Sequence, residues 1–461
     1  MLIRNAEIRG VGTGDLRCEN GRITAIGALD PRPEEAAIDA GGGALLPGLH
    51  DHHIHLAGLA VRQSSVPCGP PDVSDADALA AAIAAVPGAG WIRGIGYDEG
   101  VLGRVPDAAM LDELVPHRPL RMQHRTGRMW FLNSMALDIL LSRAEPSPGL
   151  ERTGGRFTGR LFDDDAWLQR AMGSTPPDLA DAGTELVGFG VTGVTDMSPR
   201  NDAAIANHFS RQRTERRLRQ NLVLAGSLAL ADVEPVQWLR GPAKLHLHEA
   251  ALPPFDEALE FIRRAHAQGR SVAVHCVTEV ELVFALALFG DGGTVTGDRI
   301  EHASVTPLEL VDRMAALQLQ VCVQPHFIAE KGDRYLADVE PHHHPDLYRL
   351  QTLADAGLPL AGGSDAPYGS ADPWRAMAAA VSRRTANGAV IGEAEALRPE
   401  DALELYLADP MDLRRQRRLA VGEPADLCLL DRPWAQARER LSSEDVAATL
   451  IAGELVHQRV Y

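Results

Sequence analysis

Cysteine is scarce in this 461-residue chain. Its five residues, Cys18, Cys68, Cys276, Cys322 and Cys428, are scattered and form no C-x-x-C. That excludes a zinc-finger frame or a disulfide scaffold and reads as reduced thiols. Long apolar runs are missing as well. No segment approaches the ~20 apolar residues of a membrane span, and the opening MLIRNAEIRGVG has no apolar stretch of signal-peptide length. The expectation is a cytoplasmic protein with no membrane partner. Positive charge is in deficit too. A formal net charge of -18 argues against nucleic acid, because phosphate backbones are bound by basic surfaces. The basic runs RQRTERRLRQ (211–220) and LRRQRR (413–418) read as solvated faces.

What remains is an ordinary soluble composition, 45% hydrophobic and 23% charged, in a chain long enough for a large core. The first forty-odd residues read as short strands separated by Asn20-Gly21, Pro31, Pro33 and Gly41 to Gly43. The last forty return to that style with PADLCLLDR and DVAATLIAGELVHQRVY. Neither end has strands enough for a sheet of its own, so they are expected to pair with each other. The centre alternates apolar strands with amphipathic helices such as FDEALEFIRRAHAQG and TPLELVDRMAALQL, the pattern of βα units. Eight strands are chosen: ALLPGLHDHHIH, PLRMQHRTG, GVTGVTDMS, AKLHLHE, SVAVHCV, DRIEHAS, LQVCVQPHF and LPLAGGSDAP. WIRGIGY and NLVLAGS are further candidates set aside. The reading is an α/β fold, a (β/α)8 TIM barrel over 48–412, with a discontinuous β-sandwich domain from 1–47 and 413–461.

In such a barrel, functional side chains sit at the C-terminal strand ends. The chosen strands place His53, His55, Lys244, His275, His302 and Asp365 there. Imidazole and carboxylate suit zinc and similar divalent ions. PGLHDHHIHL holds two His-x-His pairs of opposite parity, His50 with His52 and His53 with His55. Parity alone does not choose between them; the second pair lies nearer the strand end.

ALLPGLHDHHIHL resembles the P-G-[FL]-x-D-x-H-x-H signature of the urease-like, metal-dependent amidohydrolase superfamily. The signature's last two histidines fall on His53 and His55, leaving His50 and His52 structural and Asp51 a supporting residue. His275, His302 and the Asp365 of GGSDAP continue the resemblance, as do NGRITAIG and GEPADLCLLD at the two ends. RMWFLNSMAL, HCVTEVELVFALAL and AKLHLHE are similar to segments of amidohydrolase family 3, the branch of N-substituted formamide deformylase. Arg128 stands where that branch commonly has histidine, His248-Glu249 replaces Asp-Gly, and Glu279 stands where aspartate is usual.

The resemblance implies a hydrolase cleaving a C–N bond of a small molecule (amide, formamide or cyclic amide) with metal-activated hydroxide. It implies two divalent ions, zinc foremost. His53, His55 and Asp365 would hold the more buried one and His275 and His302 the other, with Lys244, carboxylated by CO2, bridging them. Asp365 would be the general base. Arg128 and His326 are candidate substrate contacts, Arg128 for a carboxylate or carbonyl and His326 for a developing oxyanion. Gln123-His124-Arg125 could line the pocket. His246 and His248 would hydrogen-bond around the site, PHHHPD (341–346) reads as loop or lid, and Cys276 as packing. Three alternatives stand beside this. A one-metal deaminase would want a glutamate where Thr278 stands. A lactonase or esterase would share every ligand. A scaffold would have lost ligands that are all present. A homo-oligomer stays open, since many members of the superfamily are dimers or larger.

Overall fold

Apolar runs without alternation are buried on both faces once they form strands, and such strands pair in parallel under covering helices. The computed structural model of the protein, which describes residues 1–8, 12–70, 72–173 and 176–459, is built around eight of them. The chain divides into two units, Met1–Leu56 with Asp178–Tyr461, and Ala57–Pro177.

In the first unit β1 (Leu49–Ile54), β2 (Val191–Asp196), β3 (Asn221–Gly226), β4 (Leu239–His246), β5 (Val272–Cys276), β6 (Arg299–His302), β7 (Gln320–Val323) and β8 (Leu360–Gly362) pair in sequence order. All seven pairings are parallel. The sheet comes round on itself just beyond β8. There the Asp365 amide donates to the His53 carbonyl (2.6 Å) and the His55 amide to the Ala366 carbonyl (2.8 Å). The two glycines of GGSD belong to this seam. A Cβ on Gly362 would strike the Tyr406 ring, and one on Gly363 would come within 2.6 Å of the His53 nitrogen and 2.9 Å of its Cα.

Helices fill the intervals. In α1 (Phe255–Ala267), Ala258, Leu259, Ile262 and Ala265 are buried at helical spacing, with Asp256 and Glu257 in the first turn and Arg264 and His266 in the last. In α2 (Glu279–Gly292), Thr278 and Glu281 form a capping box. Strands from both ends of the chain share one further sheet, where Leu427–Leu430 runs antiparallel to Ala44–Pro47. Ile3, Leu16, Leu45, Leu427, Leu429 and Leu450 form its core.

The choice of strands needs one correction. PLRMQHRTG is not a barrel strand. Leu120–His124 lies in the second unit, in a six-stranded mixed sheet that also takes up Ile92–Tyr97 of WIRGIGY. The place in the barrel belongs to NLVLAGS, which is β3. Burial explains the exchange. Leu120–His124 alternates between buried and half-buried, as a strand with one covered face does, whereas β3 is buried at every position after Asn221. No helix among the described residues is long and apolar enough to cross a membrane.

Because backbone on β1 cannot retreat from an added methyl, Gly363→Ala is expected to cost about 1–3 kcal/mol. The control Gly90→Ala, where a Cβ meets nothing within 4 Å, should stay within about 0.5 kcal/mol. Thermal unfolding of the two variants checks this.

Candidate metal centre

The seam that closes the barrel also builds the site. Asp51, buried in β1, accepts from the His53 amide and the Ser364 amide through one oxygen (3.0 Å each). It thereby ties β1 to the turn carrying Asp365. Burial pushes its carboxyl up to about 7. Beyond that tie, His53 Nε2 stands 3.5 Å and His55 Nε2 3.2 Å from the same oxygen of Asp365.

The far nitrogens of these rings are engaged. His53 Nδ1 bonds Glu301 Oε2 (2.5 Å), His55 Nδ1 bonds Ser198 (3.0 Å) and His302 Nδ1 donates to Gln324 Oε1 (2.8 Å). Donation from Nδ1 to an oxygen acceptor, as His53 and His302 make, fixes the ring and leaves Nε2 as the free electron pair, the arrangement of imidazoles that hold metals. The rings form a chain. His302 lies 4.8 Å from His53 and 4.4 Å from His275, and His275 lies 4.3 Å from His246 on β4. Burial depresses the basicity of His53 and His302 well below the usual range and pushes His275 down to about 2. All three are therefore neutral.

Lys244 is 4% exposed, and its Nζ has no hydrogen-bond partner. Burial lowers its pKa, against the pull of Glu301 and Asp365. An amine in that position is costly unless something bonds it. Together the neutral imidazoles, one carboxylate and an orphaned amine suit a divalent cation and a modified lysine. His53, His55 and Asp365 present ligand atoms within 4.8 Å of one another. So do His53, Glu301 and Cys322, but Glu301 is occupied by Arg299 Nε (2.5 Å) and burial keeps the Cys322 thiol protonated. The first group fits a metal better.

Of the six residues that the resemblance singled out, His53, His55 and Asp365 converge, His302 and His275 follow from His53 by ring contact, and Lys244 lies within the electrostatic reach of Asp365. The structure also brings in residues that reading missed, namely Glu301, Ser198 and Gln324. Parity should send Glu301 and His302 to opposite faces, yet both contact His53. His302 has φ of +74° and Asp365 +50°, backbone that non-glycine residues seldom adopt outside functional sites. A glutamate inside an apolar strand was the available signal.

Other expected residues have different surroundings. Arg128 belongs to the second unit, where it is exposed and makes a bidentate pair with Asp163 (2.7 and 2.8 Å). In the same unit His124 bonds Glu99 and Arg125 pairs with Asp98. His326 is buried and neutral, its pKa pushed down to about 3, and its Nε2–H donates to the Ser364 carbonyl (2.9 Å). Its other nitrogen is then an acceptor, so this geometry has it bracing the Asp365 turn rather than offering a proton to an oxyanion. Thr278 caps α2. Glu279 stands 3.6 Å from His343 of the 341–346 turn, and His344 bonds the Val339 carbonyl. His248 accepts from the Ala250 amide. The Cys276 thiol faces the Glu281 carbonyl. His50 bonds Thr195, and His52 packs on its ring.

A histidine with depressed basicity takes up its proton less readily in the fold than in the unfolded chain. Its burial therefore costs stability as pH falls below about 6.5, the ordinary histidine value. His50, His52, His53, His275, His302 and His326 all act in this sense. Asp51 acts oppositely, losing stability as pH rises towards 7. With the histidines in the majority, metal-stripped protein should melt at progressively lower temperature from pH 6.5 to 5. A flat or rising melting temperature across that range would contradict these environments.

Comparison with known proteins agrees in family and in fold. The model of the amidohydrolase family matches residues 36–457. The chain is 25% identical to N-substituted formamide deformylase of Arthrobacter pascens, over 100% of this chain and 98% of that one. An uncharacterized metal-dependent hydrolase from Pyrococcus furiosus superposes with a TM-score of 0.77 at 24% identity, covering 94% of this chain and 98% of that one. A second, from Pyrococcus horikoshii, gives 0.79 at 21% identity, over 94% and 97%. The chain belongs to the amidohydrolase family.

Proposed function

We propose that this protein hydrolyses an amide-type C–N bond of a small molecule, whether formamide, open-chain amide or cyclic amide, with two divalent metal ions, zinc foremost. His53, His55 and Asp365 would hold one ion, His275 and His302 the other, and Lys244 would bridge them. The observation that carries this reading is the buried, unpartnered amine of Lys244 set among neutral imidazoles and a carboxylate. When bound, such ions bring the pKa of water towards ~7 and polarise a carbonyl oxygen.

The protein's own groups supply the rest. A neutral Lys244 Nζ adds to CO2, forming an N–C bond and releasing one proton, and the carbamate then presents two oxygens where an ammonium would repel cations. Asp365 takes the proton of the attacking water and returns it to the departing nitrogen. Its place on the closing seam, with its amide held by His53, fixes that carboxylate relative to β1. Amide cleavage is preferred to deamination because Thr278, where a deaminase would want its proton shuttle, is spent on capping α2.

Screening N-formyl, N-acyl and cyclic amides against the metal-loaded enzyme should find a substrate. Asp365→Asn should then lower kcat by about 10²–10⁴-fold; activity unchanged in that variant would remove Asp365 from the chemistry. Reconstitution of stripped protein with zinc should improve on adding bicarbonate, and Lys244→Arg should abolish that dependence. Glu301→Gln should weaken metal affinity about 10–100-fold, measured by competition with a chromophoric chelator.

A further inference from the structure

At the opposite end of the barrel, a cavity of about 310 Å³ opens among the N-terminal ends of β4 to β7. Arg240, Arg270 and Arg299 line it, with Ser271, Thr296 and Gln320. No aspartate or glutamate among the described residues does so, in a chain whose net charge is -18. Three arginines around one concavity would ordinarily be neutralised, because uncompensated charge is expensive to bury. Arg299 has Glu301 on its Nε, and its Nη2 donates to the His52 carbonyl and faces the Met197 sulfur. Arg270, 4% exposed, bonds only the backbone carbonyls of Gly241, Ser227 and Pro242. Arg240 bonds the Val233 carbonyl, and its Nε is buried without a partner. Each positive group repels the other, and burial with that repulsion pushes Arg270 down to about 10.

We propose that this cavity binds a small ligand through an oxyanion group, carboxylate or phosphate, and that its occupancy is sensed at the metal centre. A forked guanidinium matches either group, and a volume near 300 Å³ is the lower range of small-molecule sites. The sensing follows from Arg299. It lines the cavity, and its Nε is bonded to Glu301, whose other oxygen holds His53 Nδ1. An anion drawing on Arg299 competes with Glu301 and the His52 carbonyl for that guanidinium and loosens the hold on His53. This second half rests on the metal reading above; the binding half does not.

Calorimetric titration of the metal-loaded enzyme with inorganic phosphate, and separately with acetate, in a zwitterionic buffer tests both. One saturable site is expected, weakened at least tenfold by Arg240→Glu. Thr296→Glu, on the exposed rim and remote from packing, should weaken it in the same direction and serves if the first variant folds poorly. The tighter of the two probes identifies the head group. Anion bound at the metal centre itself would be unaffected by either variant. Absence of saturable binding, or binding that neither variant weakens, overturns the site. Saturating phosphate should also speed chelator-driven metal loss at least threefold in the unmodified enzyme and not in Arg240→Glu. A rate indifferent to phosphate, or responding equally in the variant, overturns the coupling.

Discussion

The backbone seam between β1 and the turn after β8, the Asp365 amide on the His53 carbonyl and the His55 amide on the Ala366 carbonyl, makes barrel closure and site assembly a single event. The last strand is only three residues long, so these two bonds bear much of the closure. Asp51 reinforces the contact by accepting from backbone on both sides of it. A β-carbon at Gly363 would prise it apart. Whatever separates the strands therefore separates His53 and His55 from Asp365. A preorganised constellation of this kind keeps donors in place before any ligand arrives.

Electrostatics follow from the same burial. Histidines packed into the barrel are held neutral by burial, the form in which an imidazole can accept a metal ion. Glu301 is the exception that makes the arrangement work. It is a fully buried carboxylate, satisfied on one side by Arg299 and on the other by His53. That chain, Arg299–Glu301–His53, runs from the N-terminal end of β6 to the C-terminal end of β1.

Much of this was legible in the chain. Strand ends bearing histidine or aspartate are local features, and five of the strands that carry the site were identified from them. The wrong strand, PLRMQHRTG, was wrong for a readable reason. Its arginine and glutamine alternate with leucine and methionine, which suits a sheet with one covered face, while NLVLAGS has the unbroken apolar run that a barrel demands. Glu301 stands out as a glutamate inside an apolar strand, but its partner, like those of Ser198 and Gln324, lies far off in sequence, 22 to 248 residues away. Regular alternation would turn Glu301 away from His302, and the positive φ of His302 breaks that alternation. His326 was placed correctly after the seventh strand, but the direction of its hydrogen bond depends on the Ser364 carbonyl, which only the folded chain supplies.

Anomalous diffraction from crystals of the zinc-loaded enzyme is the most direct test of the metal reading. Data on either side of the zinc edge should give two peaks, one among His53, His55 and Asp365 and one beside His275 and His302. Continuous density should extend Lys244 Nζ between them. A peak at His50 or His52, or none at either position, would contradict it.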